Sequence, residues 1–307
     1  MTNIPLQASL HKKAKRKINI KNALTPYMFI APAAIVLICV LLFPILNVIQ
    51  SSFLENSLGN KNPAFVGLDN YKEVFEYSGL GQMLGFTAVF TLGSVFLHIA
   101  LGIVLAVALN TKINKHVLSF FRVLFILPWV FTAAVVAIVW QLMLTPQGVV
   151  NSVISAVSGQ RVLTDWLGDP TFVVISLLVI NAWRGYPHCM ISFLAALQSI
   201  PTSLYEAASV DGAHTARQFF SITLPQLKPV ISSVALLDAI WTMNLFPLIW
   251  LTTGGGPNGL TESIATLTYR FSFVNFKFNL ASALAVVGLV ITFVLTLVYS
   301  KMQKEIE

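Results

Sequence analysis

The residues whose types and spacing suggest work to be done lie between Glu206 and Pro225, in the stretch EAASVDGAHTARQFFSITLP. It gathers Glu206, Asp211, His214 and Arg217 around Gly212, in a chain where charge is otherwise scarce. Helix formers flank the glycine, so the stretch predicts two short helices hinged at Gly212, with Pro225 opening the next helix. No nucleophile and base are paired here. A helix-turn-helix of this kind presents side chains to a soluble partner, and its expected work is mechanical. The plainer reading is an amphipathic connector between two apolar segments.

Two more charges, Arg184 and Asp238, fall inside apolar segments. Ionisable groups within a membrane are costly unless paired or facing water. Counted from the segment ends that flank Glu206–Pro225, their depths differ by roughly 7 Å at 1.5 Å per residue. An Arg184–Asp238 ion pair is therefore expected, either beside a substrate path or as a lock between helices. Around them in sequence stand Asn181, Trp183, Tyr186, His188, Trp241, Asn244 and Trp250, aromatic and amide groups of the kind that hold a sugar. Each also has an ordinary reading as packing or as part of an interfacial belt. His188 reads equally as a satisfied histidine of the bundle.

Catalytic signatures are missing. The chain contains no G-x-x-x-x-G-K-[ST] loop, no H-E-x-x-H and no C-x-x-C, and Gly254–Gly256 lack the strand and helix that make a phosphate loop. Cys39 and Cys189 sit in apolar runs, where a thiol behaves as a small hydrophobe, so neither a disulfide nor a metal site is expected. No cofactor is expected on this chain, and any energy must come from a partner.

The elements that position these residues follow from composition. Of 307 residues, 56% are hydrophobic and 10% charged, which is too apolar for a soluble core of this size. The net charge of +7 does not point to nucleic acid, because Lys12, Lys13, Lys15, Arg16, Lys17 and Lys21 precede the first apolar run and are better explained by membrane orientation. That run is too long for a cleaved signal. Segments 28–50, 86–109, 120–144, 172–197, 229–251 and 279–300 each predict a spanning helix, six in all. The expected organisation is a basic segment over 1–27 and one transmembrane domain over 28–307.

With the N-terminus inside, one side also receives Lys112, Lys115, Arg122, Arg217, Lys228, Lys301 and Lys304, and the other only Lys61, Lys72, Arg161, Arg270 and Lys277. Both termini and the stretch at Glu206 are therefore expected in the cytoplasm. The outer loops 51–85 and 145–171 predict a short surface helix at FVGLDNYKEVF and a short amphipathic run before TDWLGDP. No internal repeat is evident, which disfavours an inverted-repeat transporter.

The stretch at Glu206 resembles the EAA loop of binding-protein-dependent ABC importers, E-A-A, three residues, G, nine residues, I-x-L-P. Glu206, Ala207, Ala208, Gly212, Ile222, Leu224 and Pro225 match every fixed position. The wording APAAIVLICVLLFPIL, FRVLFILPWV, WRGYP, LAALQSIPTSLYEAA and WTMNLF extends the resemblance over almost the whole chain, to the maltose-type carbohydrate permeases. The run holding Gly255, Gly256, Pro257, Thr261 and Glu262 is similar to the F-type of two non-identical subunits. The chain departs from the maltose F-type subunit in lacking its large outer domain and extra spans, in His188, and in Pro247.

The resemblance implies an all-α, six-span permease of the type I importer fold in a bacterial inner membrane. It implies a heterodimer with a G-type permease, two ATPase subunits that bind ATP and Mg2+, and an external solute-binding protein delivering a carbohydrate. Glu206, Ala207, Ala208, Asp211 and Gly212 would form the coupling helix that docks on an ATPase. A basic residue is common at the position of Arg184 in that family, so its type alone does not argue for an acidic substrate. An ion-gradient carrier using Asp238 is the alternative, separable by copurification with an ATPase.

Overall fold

The computed structural model describes residues 20–56, 60, 62–111 and 114–304, with side chains from Met28 to Lys301. The basic segment expected over 1–27, together with Lys61, Lys112 and Lys304, therefore lies largely outside what is described. Residues 1–47 and 48–307 form two compact units. The first holds α1 (Ile20–Leu37), a π-helical turn at Ile38–Leu42 and the start of α2 (Phe43–Ser51). Its large apolar side chains from Met28 to Leu46 are exposed.

The second unit runs through α3 (Asp69–Glu76), α4 (Leu80–Leu109), α5 (Lys115–Val130), α6 (Ala133–Met143), α7 (Val149–Ser158) and α8 (Val173–Ser199). After these come α9 (Thr202–Val210), α10 (Thr215–Gln218), a π turn at Phe219–Thr223, α11 (Leu224–Met243), α12 (Phe246–Thr252), α13 (Ile264–Tyr269), a π turn at Arg270–Val274 and α14 (Phe278–Lys304). The short surface helix expected in loop 51–85 is α3, and the short amphipathic run expected in loop 145–171 is the helix α7.

The heart of this unit is α4 against α8, its most extensive helix contact. Thr87, Thr91, Ser94, His98, Gly102 and Ala106 recur at helical spacing on the buried face of α4, while Leu92, Phe96 and Val104 face outwards. This is the inverse of a soluble amphipathic helix, as a lipid exterior requires. Small residues let the backbones close up. A Cβ on Gly102 would stand 2.7 Å from the Cβ of Cys189 and 3.0 Å from the backbone nitrogen of Met190. Gly102→Ala is accordingly expected to cost about 1–3 kcal/mol and lower the melting temperature in detergent. Gly81→Ala on the same helix, where a Cβ meets nothing within 4 Å, is expected to leave the melting temperature unchanged or slightly raised.

Among the described residues, four helices are long and apolar enough to cross a membrane: Met28–Ser51, Leu80–Leu109, Thr215–Met243 and Phe278–Lys301. The segment expected as one rod over 120–144 is instead α5 and α6, bent by 94°. Thr132 causes the break by capping α6, its side chain accepting a hydrogen bond from the backbone N–H of Val135 at 3.4 Å. The expected span 172–197 is α8, which has 27 residues but a polar centre at Asn181, Arg184 and His188 that dilutes its hydropathy.

The expected span 229–251 also breaks, between Met243 and Phe246, because Pro247 suits the first turn of a new helix and cannot continue the old one. Pro225 stands in the first turn of α11, as expected, but α11 does not start from a loop. The helical path starts at Thr215 with α10, and the wide turn at Phe219–Thr223, closed by the Leu224 N–H on the Phe219 carbonyl, carries it into α11 without a stop.

Candidate functional site

The stretch at Glu206 forms the anticipated helix-turn-helix. α9 ends in a Schellman turn, with the Ala213 N–H donating to the Ala208 carbonyl at 2.8 Å and the Gly212 N–H to the Ser209 carbonyl at 3.1 Å. Gly212 sits at φ +77°, the left-handed position that this turn demands, which explains a glycine four residues after Ala208. Gln218 Nε2 braces the turn by donating to Ser209 Oγ at 2.9 Å and to the Ala213 carbonyl at 3.0 Å. The Tyr205 and Thr223 hydroxyls, 3.0 Å apart, tie α9 to the π turn.

Glu206, Ala207, Asp211 and Gly212 are exposed and Ala208 is partly so. Sequence reasoning missed Val210, which stands 90% exposed at the tip of α9. The F-type run folds the other end of α12. Arg270 donates from Nε to Glu262 Oε1 at 2.9 Å and from Nη2 to the Gly254 carbonyl at 2.7 Å, while Thr261 Oγ1 donates to the Gly256 carbonyl at 2.6 Å.

The second site is a cavity of about 380 Å³ between α4, α5, α8 and α11. Asn181, Arg184, His188, Asp238, Trp241 and Asn244, all singled out from sequence, line it together. Trp183 and Tyr186 do not. Trp183 turns to the other side of α8, edge-on to Trp140 at 5.8 Å, and Tyr186 is buried with Ala106, Cys189 and Phe193. Trp250 packs on Phe246 and Tyr269 at ring distances of 5.7 and 4.7 Å, with the Arg270 guanidinium 5.8 Å over it.

The expected Arg184–Asp238 ion pair is not formed. Asp238 Oδ2 lies 2.7 Å from His98 Nδ1, and His98 Nε2–H donates to the Asn181 carbonyl at 2.9 Å. α4 packs against both α8 and α11, so His98 reaches the carboxylate first. The His98 ring occupies the space that a side chain at residue 185 would need, which is why Gly185 is there. His98 and Trp129 are among the cavity residues that sequence reasoning missed. For His98 the signal was the stripe Thr87, Thr91, Ser94, His98, Gly102. His188 lies between Trp129 and Trp241, with ring distances of 5.9 and 5.1 Å.

Residues 98–307 match the family described as binding-protein-dependent transport system inner membrane component. The chain is 30% identical over 286 residues to the trehalose/maltose transport system permease protein MalF of Thermococcus litoralis, covering 93% of this chain and 95% of that one. It is 34% identical over 243 residues to the multiple sugar-binding transport system permease protein MsmF of Streptococcus mutans, covering 79% and 82%. In fold it is similar to a chain of a bacterial ABC transporter involved in the import of the acidic polysaccharide alginate, with a TM-score of 0.82 at 24% identity, over 93% of this chain and 97% of that one. A complete E-A-A, three residues, G motif on an exposed turn, a polar cavity among apolar helices and a family match over most of the length lead to one assignment: the chain belongs to the family of binding-protein-dependent transport system inner membrane components.

Proposed function

We propose that this protein is a permease subunit of an ATP-driven importer that carries an oligosaccharide, handed over by an external solute-binding protein, across a bacterial inner membrane. The observation that carries this reading is the exposed Schellman turn at Gly212, bearing the whole motif, on a chain 30% identical to a trehalose/maltose permease. In this reading six spans place both termini and the Glu206 stretch in the cytoplasm, and residues 28–307 work as one transmembrane domain behind a basic N-terminal segment. A second, G-type permease completes the pathway. Two ATPase subunits, which hold ATP and Mg2+, close on nucleotide, push on Glu206, Ala207, Ala208, Asp211 and Gly212, and rock the helices between outward and inward states. The cavity at His188 is the half-site this subunit contributes. An ion-gradient carrier gains no support from the family match or from the permeases this chain resembles.

Reconstitution tests this. Proteoliposomes containing the assembled complex are expected to accumulate sugar only with internal ATP and external loaded binding protein. Accumulation driven by a proton or sodium gradient without ATP would overturn the reading.

A further inference from the structure

The charges facing the central cavity do not balance. Arg184 and Asp238 both face it, yet Asp238 is engaged by His98 at 2.7 Å. A carbonyl oxygen can only accept, so the contact of His98 Nε2 with the Asn181 carbonyl at 2.9 Å requires a hydrogen on Nε2. The short Nδ1 to Oδ2 contact then holds one more proton shared by the two groups. Written as imidazolium and carboxylate or as imidazole and carboxylic acid, the unit is neutral overall.

Arg184 has no such relief. Its guanidinium stays charged, no ion pair reaches it among the described residues, and its Nε is buried without a hydrogen-bond partner. The cavity thus carries one uncompensated positive charge at the middle of α8, where an isolated ion is costly. Two further buried atoms are left without partners on the same wall, Asn181 Nδ2, which is a donor, and His188 Nδ1. Asn244 Nδ2 gives one of its two N–H groups to the Ile240 carbonyl at 2.8 Å, leaving the second N–H and its oxygen for a ligand.

We propose that this cavity takes an acidic sugar unit, with a carboxylate seated on Arg184. The two Nη groups of the guanidinium, which unlike the Nε are not shut away from the cavity and carry no hydrogen bond or ion pair among the described residues, form a fork that matches the two oxygens of a carboxylate. The indoles of Trp129 and Trp241 on either side of His188 offer faces for the sugar ring. The type of residue at position 184 does not by itself carry this. What carries it is the withdrawal of Asp238 as its counter-ion. The proposal rests on the importer reading above and deepens it.

The test uses the assembled complex in nanodiscs, a trigalacturonate, and the same trisaccharide with its carboxyl groups reduced to alcohols. Equilibrium binding to the complex is expected to favour the acidic probe by about 10- to 100-fold, the scale of a hydrogen bond to a charged group. Arg184→Gln is expected to abolish that preference, while Arg184→Lys, which keeps the charge and loses the fork, retains part of it. Equal binding of the two probes by the wild type, or an unchanged preference in Arg184→Gln with ATP hydrolysis intact, overturns the acidic specificity and leaves the importer reading standing. Binding of neither probe by a complex that still hydrolyses ATP likewise overturns the acidic specificity, and the importer reading is then decided by the uptake assay alone.

Discussion

His98→Ala is expected to be the most damaging single truncation inside the helical bundle. It strips the partner from a carboxylate whose side chain is 9% exposed, and removing one member of a buried pair costs about 3–5 kcal/mol. It also frees the Asn181 carbonyl contact and opens a void opposite Gly185. The double variant His98→Ala/Asp238→Ala is expected to be more stable than His98→Ala alone, because the stranded carboxylate leaves with its partner. Melting of the purified subunit in detergent reads both. Two losses that simply add would show that the groups do not act as a unit.

Gly212→Pro is expected to have the largest effect on transport, abolishing sugar accumulation while loaded binding protein still binds the complex. Proline fixes φ near −65°, against +77° in the structure, and removes the N–H that bonds to the Ser209 carbonyl at 3.1 Å. The distortion costs about 3 kcal/mol or more and tilts α9 away from α10. Substitutions at this position should grade by their tolerance of the left-handed region, asparagine mildest, alanine intermediate and proline complete. Side-by-side assays of uptake and ATP hydrolysis in proteoliposomes separate lost coupling from lost assembly. Normal uptake by Gly212→Pro would remove the mechanical role assigned to this turn.

What was legible in the sequence was local. The turn at Gly212 needs only its own residues, so E-A-A, three residues, G reads directly as a helix, its last turn and its left-handed cap. The expected Arg184–Asp238 pair failed because it was built from two helices when three meet there. His98, uncharged in a count at neutral pH and lodged in the run SVFLHIAL, drew no notice beside formal charges. Its face is visible only when Thr87, Thr91, Ser94 and Gly102 are read as one buried stripe, which requires inverting the rule that polar faces point outwards. The breaks at Thr132 and before Pro247 were hidden for a different reason. Averaging hydropathy over a span-length window erases a one-residue cap or stop. Trp183 and Tyr186 lie near cavity residues in sequence, but on other faces of the same helix.

The π turn at Phe219–Thr223 makes chain length itself a determinant between the exposed turn and the cavity. Each residue of a helix advances the next by about 100°, and a π turn is one residue longer than the α turn it replaces. Removing a single residue there would let an unbroken α-helix run from Thr215 to Met243. Every contact of Asp238 and Trp241 would be kept, while the face presented by Val210 and Glu206 would be swung by more than a quarter of a circle. An insertion or deletion in these five positions would therefore re-aim the whole surface at once, which no single substitution on the exposed turn does.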